Sequence, residues 1–243
     1  MSLIVRSILA VSGICILAGC TQVSTGRQPE IDKGPGAEVT VDGLHRLRHS
    51  GFADAWVRPG ANFASYSKVL LGPVFVSYKR PPHGRRGTGA GGNFALSESQ
   101  MEKFKNYLTV IFQEEFGKSD VYEEVSKPGA SVLEVEPSII DLVVSAPVDT
   151  PGRSRAYVTS TAQMTLLMEL RDSESGELLA RIADRQEARA SGASGLSRVY
   201  YSSPVSNTQA VRSTFRRWAR VLVKQLDQVH ALGVGMNETS APQ

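Results

Sequence analysis

Serine, histidine and carboxylate side chains are the groups that would carry nucleophilic catalysis in this chain of 243 residues. The chain has four histidines, each a candidate general base: His45, His49, His83 and His230. Hydrolases of the α/β class present their serine in a Gly-x-Ser-x-Gly turn, and the sequence has no such pattern. We therefore expect a protein that is not an enzyme. The alternative, a hydrolase, requires one of these histidines to meet a hydroxyl and a carboxylate in the folded chain.

Two shorter patterns have the residue types of a ligand site without its context. Gly87–Gly92 matches Gly-x-Gly-x-x-Gly, but in a dinucleotide site the glycines follow the strand directly and the helix begins inside the motif. Here the glycines form part of a loop over residues 82–93. His45 and His49 have the spacing of two metal ligands on a helix, but no cysteine lies near them. The sequence therefore predicts neither a cofactor nor a metal ion.

Cys20 is the residue whose surroundings predict a specific modification. Arg6 precedes an apolar run over residues 8–17, which has the layout of a secretory signal. The run is too short for a membrane-spanning helix, which needs about 20 apolar residues. Leu17-Ala18-Gly19-Cys20 resembles the lipobox, where bacterial lipoprotein precursors are acylated on the cysteine and cut before it. The resemblance implies a signal peptide over residues 1–19 and a mature chain that starts at lipidated Cys20.

The residues after Cys20 bear on the destination of the protein. Thr21 and Gln22 follow it, whereas an aspartate there commonly retains lipoproteins at the inner membrane. The resemblance therefore implies an anchor in the outer membrane, facing the periplasm. Each buried methylene of an acyl chain contributes ~0.8 kcal/mol, so two or three chains hold a protein permanently.

Composition describes the rest of the chain. Residues 20–40 are rich in glycine, proline and polar residues, which predicts a flexible tether. Residues 41–232 are expected to form a single domain, because the chain has the hydrophobic content, 41%, of a globular protein. Residues 233–243 are expected to be a disordered tail. The net charge of +3 is too small to favour nucleic-acid binding.

One stretch near the start of this domain resembles a known family. Trp56–Phe63, then Tyr66 and the apolar run Val69–Val74, resembles the N-terminal signature of a family of bacterial lipoproteins that carry a domain of unknown function. The resemblance supports the lipid anchor and the fold, and it transfers no catalytic residue.

Hydrophobic periodicity predicts two helices. Ser97 and Gln100 form a capping box ahead of a helix over residues 98–116, which Gly117 closes. Ser206 and Gln209 form a second capping box, ahead of a helix over residues 207–231.

Alternating apolar and polar residues predict the strands. They cover residues 68–78, 121–125, 131–144, 156–171 and 177–189, and the last two form a hairpin in which Leu170 faces Leu178 and Arg171 faces Glu177. Residues 41–68 are expected to pack without regular structure. The predicted fold is α+β: a single, mostly antiparallel twisted sheet of about five strands in the order β-α-β-β-β-β-α, with both helices on one face.

Two surface features are candidates for binding a partner. Four basic residues share the polar side of the second helix: Arg212, Arg216, Arg220 and Lys224. Three tyrosines are candidate recognition residues, because aromatic side chains are enriched at interfaces: Tyr157, Tyr200 and Tyr201.

These features together predict a function class. We expect a membrane-anchored, non-enzymatic accessory or assembly factor that binds another component of the cell envelope. Two alternatives stay open: an envelope hydrolase, and a carrier of lipid or another small apolar ligand. A carrier requires an enclosed apolar cavity between the sheet and the helices.

Overall fold

The computed structural model describes residues 28–82, 93–146, 157–189 and 200–233. Within these ranges one nine-stranded mixed sheet, a separate two-stranded ribbon and two long helices make up the fold. The α+β class is therefore confirmed. The prediction of a single sheet of about five mostly antiparallel strands is wrong.

The elements have the following bounds. The strands of the first half are β1 (Glu30–Ile31), β2 (His45–Arg48), β3 (Asp54–Val57), β4 (Lys68–Leu71) and β5 (Phe75–Tyr78). The later strands are β6 (Glu123–Val125), β7 (Val132–Val144), β8 (Tyr157–Val158), β9 (Ala162–Asp172), β10 (Leu178–Ala188) and β11 (Tyr200–Tyr201). The helices are α1 (Glu98–Phe116) and α2 (Pro204–Leu232), with one short 3-10 turn at Phe63–Ser65.

The strand order of the sheet is β1-β2-β3-β10-β9-β7-β4-β6, with β5 also paired to β7, and β8 and β11 form the ribbon. Strands β4 and β5 run parallel to β7, and β6 runs parallel to β4. The other pairings are antiparallel. The sheet is mixed because the connection from β5 to β7 passes through α1, as a parallel crossover requires.

The unexpected strands lie in the segment predicted to lack regular structure. Strands β2 and β3 pair with each other, and β3 pairs with β10 with Val57 opposite Ala180. Glu30–Ile31, from the segment predicted as a tether, pair with Arg48 and Leu47. These strands cover the edge of β10, whose backbone groups would otherwise lack partners. Strands of two to four residues are too short for a visible alternation of apolar residues, so periodicity missed them.

The segment predicted as one strand over residues 68–78 is two strands. Gly72-Pro73-Val74 separates β4 from β5, and the two strands pair with successive parts of β7. Pro137 lies in the gap between these two pairings. The irregularity of β7 occurs at Asp141, where φ is 53° and the register against β9 shifts.

The predicted hairpin forms, with a different register. Ala180, rather than Leu178, lies opposite Leu170, because the turn already pairs Arg171 with Leu178 and a bulge at Leu179 adds one further residue to β10. Arg171 therefore lies opposite Leu178 and not Glu177. The shift keeps the apolar side chains on one face, since the new register differs by an even number of residues.

The outer face of the sheet is held by ion pairs across the strands. Arg171 Nε lies 2.9 Å from Glu136 Oε2, and Arg181 Nε lies 2.9 Å from Glu169 Oε1. Arg181 also reaches Asp42 at 2.7 Å. This face matches the polar positions expected for the hairpin.

The helices cover the other face and bury its apolar residues. The bounds of α1 and its Ser97 capping box are confirmed. Helix α2 begins earlier than predicted, at Pro204, with Ser203 as its cap and Ser206 completing the capping box. Proline suits the first helical position because its missing N–H would be unsatisfied there. The stripe predicted for α2 is buried: Val211, Phe215, Trp218, Leu222, Leu226 and Val229.

A buried carboxylate fastens α2 to the sheet. Asp184 on β10 is 8% exposed and accepts hydrogen bonds from Trp218 Nε1 at 2.7 Å and from the backbone N–H of Ala53 at 3.0 Å. Gln186 donates a third bond at 2.7 Å. The single side chain thus joins α2, β10 and the start of β3.

We expect Asp184→Asn to lower the free energy of unfolding by about 1–3 kcal/mol, because its amide nitrogen places a donor where the carboxylate accepts. Urea denaturation followed by circular dichroism measures the loss. Glu187→Gln is the matched control on the same strand, since among the described residues Glu187 forms its ion pair with Arg189 at the surface, and it should change stability by less than about 0.5 kcal/mol. Equal losses in the two variants would contradict the role of Asp184.

The turn between β9 and β10 depends on a second carboxylate. The backbone N–H and the hydroxyl of Ser175 each donate to Asp172 Oδ1 at 2.8 Å, and Tyr66 OH donates to Oδ2 at 3.0 Å. The Ser175 bonds lower the pKa of Asp172, with smaller contributions from Tyr66 and the Glu174 N–H. Burial and this hydrogen bond raise the pKa of Tyr66.

Because the pKa of Asp172 is lower in the folded chain, the stabilisation is present above the unfolded value, about 3.9, and is lost as the pH falls through the folded value. We expect Asp172→Asn to destabilise the protein at neutral pH and to lose less stability than the wild type on acidification. Free energies of unfolding at neutral and acidic pH measure this. Parallel pH profiles for the two proteins would contradict it.

Candidate functional site

The basic stripe of α2 is largely paired with α1. The guanidinium of Arg212 lies 5.4 Å from the centre of the Tyr107 ring. Arg216 Nη2 lies 3.2 Å from Glu114 Oε2. Arg220 Nε lies 3.8 Å from Glu115 Oε2 of α1. Three of the four predicted basic residues therefore contact α1 and contribute to the packing of the two helices.

Glu115 is the centre of this ionic contact. It is 4% exposed, and its carboxylate is surrounded by Lys118 Nζ at 2.6 Å, Arg216 Nε at 3.6 Å and Arg220 Nε at 3.8 Å. A carboxylate at this depth requires cations, because an unpaired buried charge is strongly unfavourable. Arg216 and Arg220 therefore help to neutralise a buried charge inside the domain.

An open groove of about 460 Å³ runs beside this cluster, between α1 and the C-terminal half of α2. Lys118, Arg220 and Lys224 line it together with Glu115 and Asp227. Because acidic and basic side chains both line the groove, it attracts an anion less strongly than the four basic residues of α2 would by themselves. Lys224 forms no ion pair with a described residue.

The predicted aromatic residues form a contact at the surface. Tyr201 lies opposite Tyr157 in the ribbon, and Tyr200 lies opposite Val158. The Tyr157 and Tyr201 rings are 6.2 Å apart at 65°, an edge-to-face arrangement, and are 61% and 50% exposed. Val205, at the start of α2, is 67% exposed. We call Tyr157, Tyr201 and Val205 the aromatic patch.

Hydrogen bonds attach the patch to the body of the domain. Asn207 on α2 donates to the hydroxyl of Ser202 at 2.9 Å and accepts from the hydroxyl of Thr161 at 3.1 Å. The hydroxyl of Ser206 donates to the carbonyl of Tyr201 at 3.2 Å. The ribbon is therefore tied to the start of α2 and to the residue before β9. A surface residue held in this way loses little conformational entropy when it binds.

The three histidines that the structure describes, His45, His49 and His230, do not form one cluster. His45 lies in β2 and His49 follows it, so the spacing expected for a helix does not apply. His49 Nε2 lies 3.6 Å from Glu30. Among the residues that the structure describes, no three histidine, cysteine or acidic side chains are placed to hold a metal ion.

His230 comes closest to the arrangement that a hydrolase requires. It lies one turn after Asp227 on α2, and Ser119 Oγ donates to Asp227 Oδ1 at 2.6 Å. Ser119 also accepts from the N–H of Val121 at 3.1 Å, which marks it as part of the turn after α1. His230 Nδ1 and the hydroxyl of Tyr122 are buried without a hydrogen-bond partner among the described residues. Burial, and then the charge of Asp227, raises the pKa of Tyr122. The serine thus bonds the carboxylate directly, without an imidazole between them.

The space between the sheet and α2 is small. An apolar crevice of about 50 Å³ is lined by residues that include Ala55, Ile182, Leu222, Leu226 and Val229. At about 30 Å³ for each water molecule, this volume is too small for an acyl chain. None of the helices in the described ranges is long and apolar enough to span a bilayer.

Several sequence features lie outside the described ranges. They are Cys20 and the rest of residues 1–27, His83 and the glycine-rich stretch Gly87–Gly92, and the tail after Gly233.

The described residues thus form an α+β domain with a mixed sheet, two helices on one face of it and an exposed aromatic contact at one end. Residues 42–222 match the model of a family described as a protein of unknown function, DUF3313. The chain belongs to this family. The resemblance to a family with a domain of unknown function is therefore confirmed. No curated protein matches the chain.

Solved structures give distant likenesses. A Xanthomonas campestris protein of family DUF330 is 14% identical, with 69% of this chain and 89% of that chain covered and a TM-score of 0.37. A neuraminyllactose-binding hemagglutinin homolog from Helicobacter pylori is 9% identical, with coverages of 72% and 95% and a TM-score of 0.35. The PelC dodecamer from Paraburkholderia phytofirmans is 11% identical, with coverages of 69% and 96% and a TM-score of 0.31. Scores this low carry no information about function.

The ionic contact of α1 with α2 leads to a stability prediction. Arg216→Ala removes a partner of both Glu114 and Glu115, so we expect it to lower the free energy of unfolding by about 1 kcal/mol. Lys224→Ala removes no ion pair with a described residue and should have an effect below about 0.5 kcal/mol. Urea denaturation compares the two. A larger loss in Lys224→Ala would show that the stripe is not held by α1 as the distances indicate.

Proposed function

We propose that the protein is an outer-membrane lipoprotein, anchored by acyl chains at Cys20 and facing the periplasm, that acts as a non-enzymatic accessory or assembly factor. In this proposal it contacts another component of the envelope through the aromatic patch. The observation that carries the binding role is the exposure of Tyr157 and Tyr201, whose rings contact each other and whose ribbon is hydrogen-bonded to the start of α2.

The physical chemistry of the patch supports a binding role. Tyrosine combines a large apolar ring with a hydroxyl that tolerates water, and such residues are frequent among those that dominate binding energy. The two tyrosine rings contact each other, and Val205 nearby in sequence adds a further exposed apolar side chain at the start of α2. The patch is also attached to rigid elements, so it is available in its binding geometry before a partner arrives.

The location rests on the sequence of the first 22 residues. The lipobox Leu17-Ala18-Gly19-Cys20 implies lipidation, and Thr21 and Gln22 imply the outer membrane. The DUF3313 family model covers residues 42–222, so the proposed anchor rests on the lipobox resemblance alone.

Two substitutions test the two halves of this proposal separately. Cys20→Ala should release the protein from the membrane fraction, because the acyl chains have no other attachment. Tyr157→Ser with Tyr201→Ser should leave the protein in that fraction and remove its neighbours. Membrane fractionation and photo-crosslinking in intact cells, from a crosslinking amino acid at position 205, measure these outcomes.

The matched control is the same crosslinker at Glu174, which is exposed in the turn at the opposite end of the sheet. We expect crosslinks from position 205 that disappear in the double tyrosine variant, and few from position 174. Turnover of an envelope substrate by the purified protein, abolished by a single polar substitution, would overturn the non-enzymatic role.

A further inference from the structure

The direction in which the chain enters the fold places the start of the domain toward the aromatic patch. Strand β1 is antiparallel to β2, β2 to β3, and β3 to β10. Strand β1 therefore runs opposite to β10, and its N-terminal end points toward the end of the sheet where β10 finishes.

The same end of the sheet holds the patch and the starts of both helices. Strand β9 begins there opposite Ala188, and the N–H of Thr161 bonds the carbonyl of Ala188 at 2.7 Å. Thr161 in turn bonds Asn207 of α2, which holds the ribbon. The residues ahead of α1 also reach this end, since the N–H of Phe94 bonds the carbonyl of Val144 at 2.9 Å. We call this end of the domain the patch end.

The remaining length of the chain limits how far the domain stands from the lipid. Glu30 lies opposite Arg48. If the pairing of β2 with β3 is extended by two residues, Arg48 lies level with Asp54, which pairs with Ala183. Glu30 is therefore level with Ala183 along the sheet. From that level β10 continues five residues to Ala188, which is about 17 Å at the rise of a strand. The ten chain steps from Glu30 back to Cys20 span at most about 36 Å. The anchor can therefore reach beyond the patch end only by a short distance.

The patch has the chemistry of a membrane interface. Tyrosine is enriched at the level of lipid headgroups, where its ring meets acyl chains and its hydroxyl meets water. Val205, in the first turn of α2, adds an exposed apolar side chain.

We infer that the aromatic patch lies in the headgroup region of the bilayer that holds the acyl chains at Cys20. The domain then stands with its patch end on the membrane and its hairpin turn, at Glu174, pointing away. This inference rests on the proposed lipid anchor and names the envelope component that the patch contacts. A lipid surface is favoured over a protein because a tether of this length keeps the patch end beside the bilayer.

Nitroxide quenching tests this orientation on the full lipidated protein. Val205→Cys and Glu174→Cys variants are purified from membranes, labelled with an environment-sensitive fluorophore, and reconstituted in vesicles of phosphatidylethanolamine and phosphatidylglycerol with a nitroxide-bearing lipid. We expect several-fold stronger quenching at position 205 than at position 174. The quenching at 205 should largely disappear when Tyr157 and Tyr201 are both replaced by serine. Equal or negligible quenching at the two positions would overturn the inference.

Two readouts separate this inference from the proposed function. Mass spectrometry of the purified protein, before labelling, reports whether residue 20 is acylated, and a bare thiol there would contradict the anchor itself. If residue 20 is acylated and position 205 crosslinks to a protein without quenching by lipid, the membrane contact is overturned while the binding role survives. Crosslinks from position 205 to lipid, with quenching that depends on the two tyrosines, support both.

Discussion

The buried carboxylate of Asp184 is the contact on which the arrangement of this domain depends. It accepts the indole N–H of Trp218 and the backbone N–H of Ala53, so one side chain on β10 holds both α2 and the strand that covers the edge of β10. An acceptor at that depth must be satisfied, which removes alternative positions for the helix along the sheet. Apolar packing alone would permit such shifts, because the hydrophobic effect has no preferred direction.

Helix α2 makes three different sets of contacts. One side fills the core with Phe215 and Trp218, and another carries the arginines that satisfy Glu115 of α1. Its first turn fastens the ribbon through Ser206 and Asn207. The position of the aromatic patch is therefore set by the same helix that closes the core, which explains how a ribbon of two-residue strands is presented in a defined orientation.

Sequence reasoning found the parts of the candidate site unequally well. Tyr157 and Tyr201 stood out as aromatic residues without a place in a predicted apolar face, and the fold brings them into contact although they are 44 positions apart in the chain. The arginines of α2 stood out equally, yet α1 supplies Glu114 and Glu115 to them. A charge pattern along one helix contains no information about the charges on its neighbour, so free and paired cations look alike in sequence.

The sequence by itself determined the elements whose signals are local: the bounds of α1 and its capping box, the buried stripe of α2, and the alternating faces of β9 and β10. The resemblance of Leu17-Ala18-Gly19-Cys20 to a lipobox is likewise read from the sequence without any fold. Only the tertiary structure decided the number and order of strands, because β1, β2 and β3 are too short to show a period and exist through pairing with β10. It also decided the hairpin register, because neither the bulge at Leu179 nor the pairing of Arg171 with Leu178 is visible in the alternation of apolar and polar residues. The direction of β1 follows from those pairings alone.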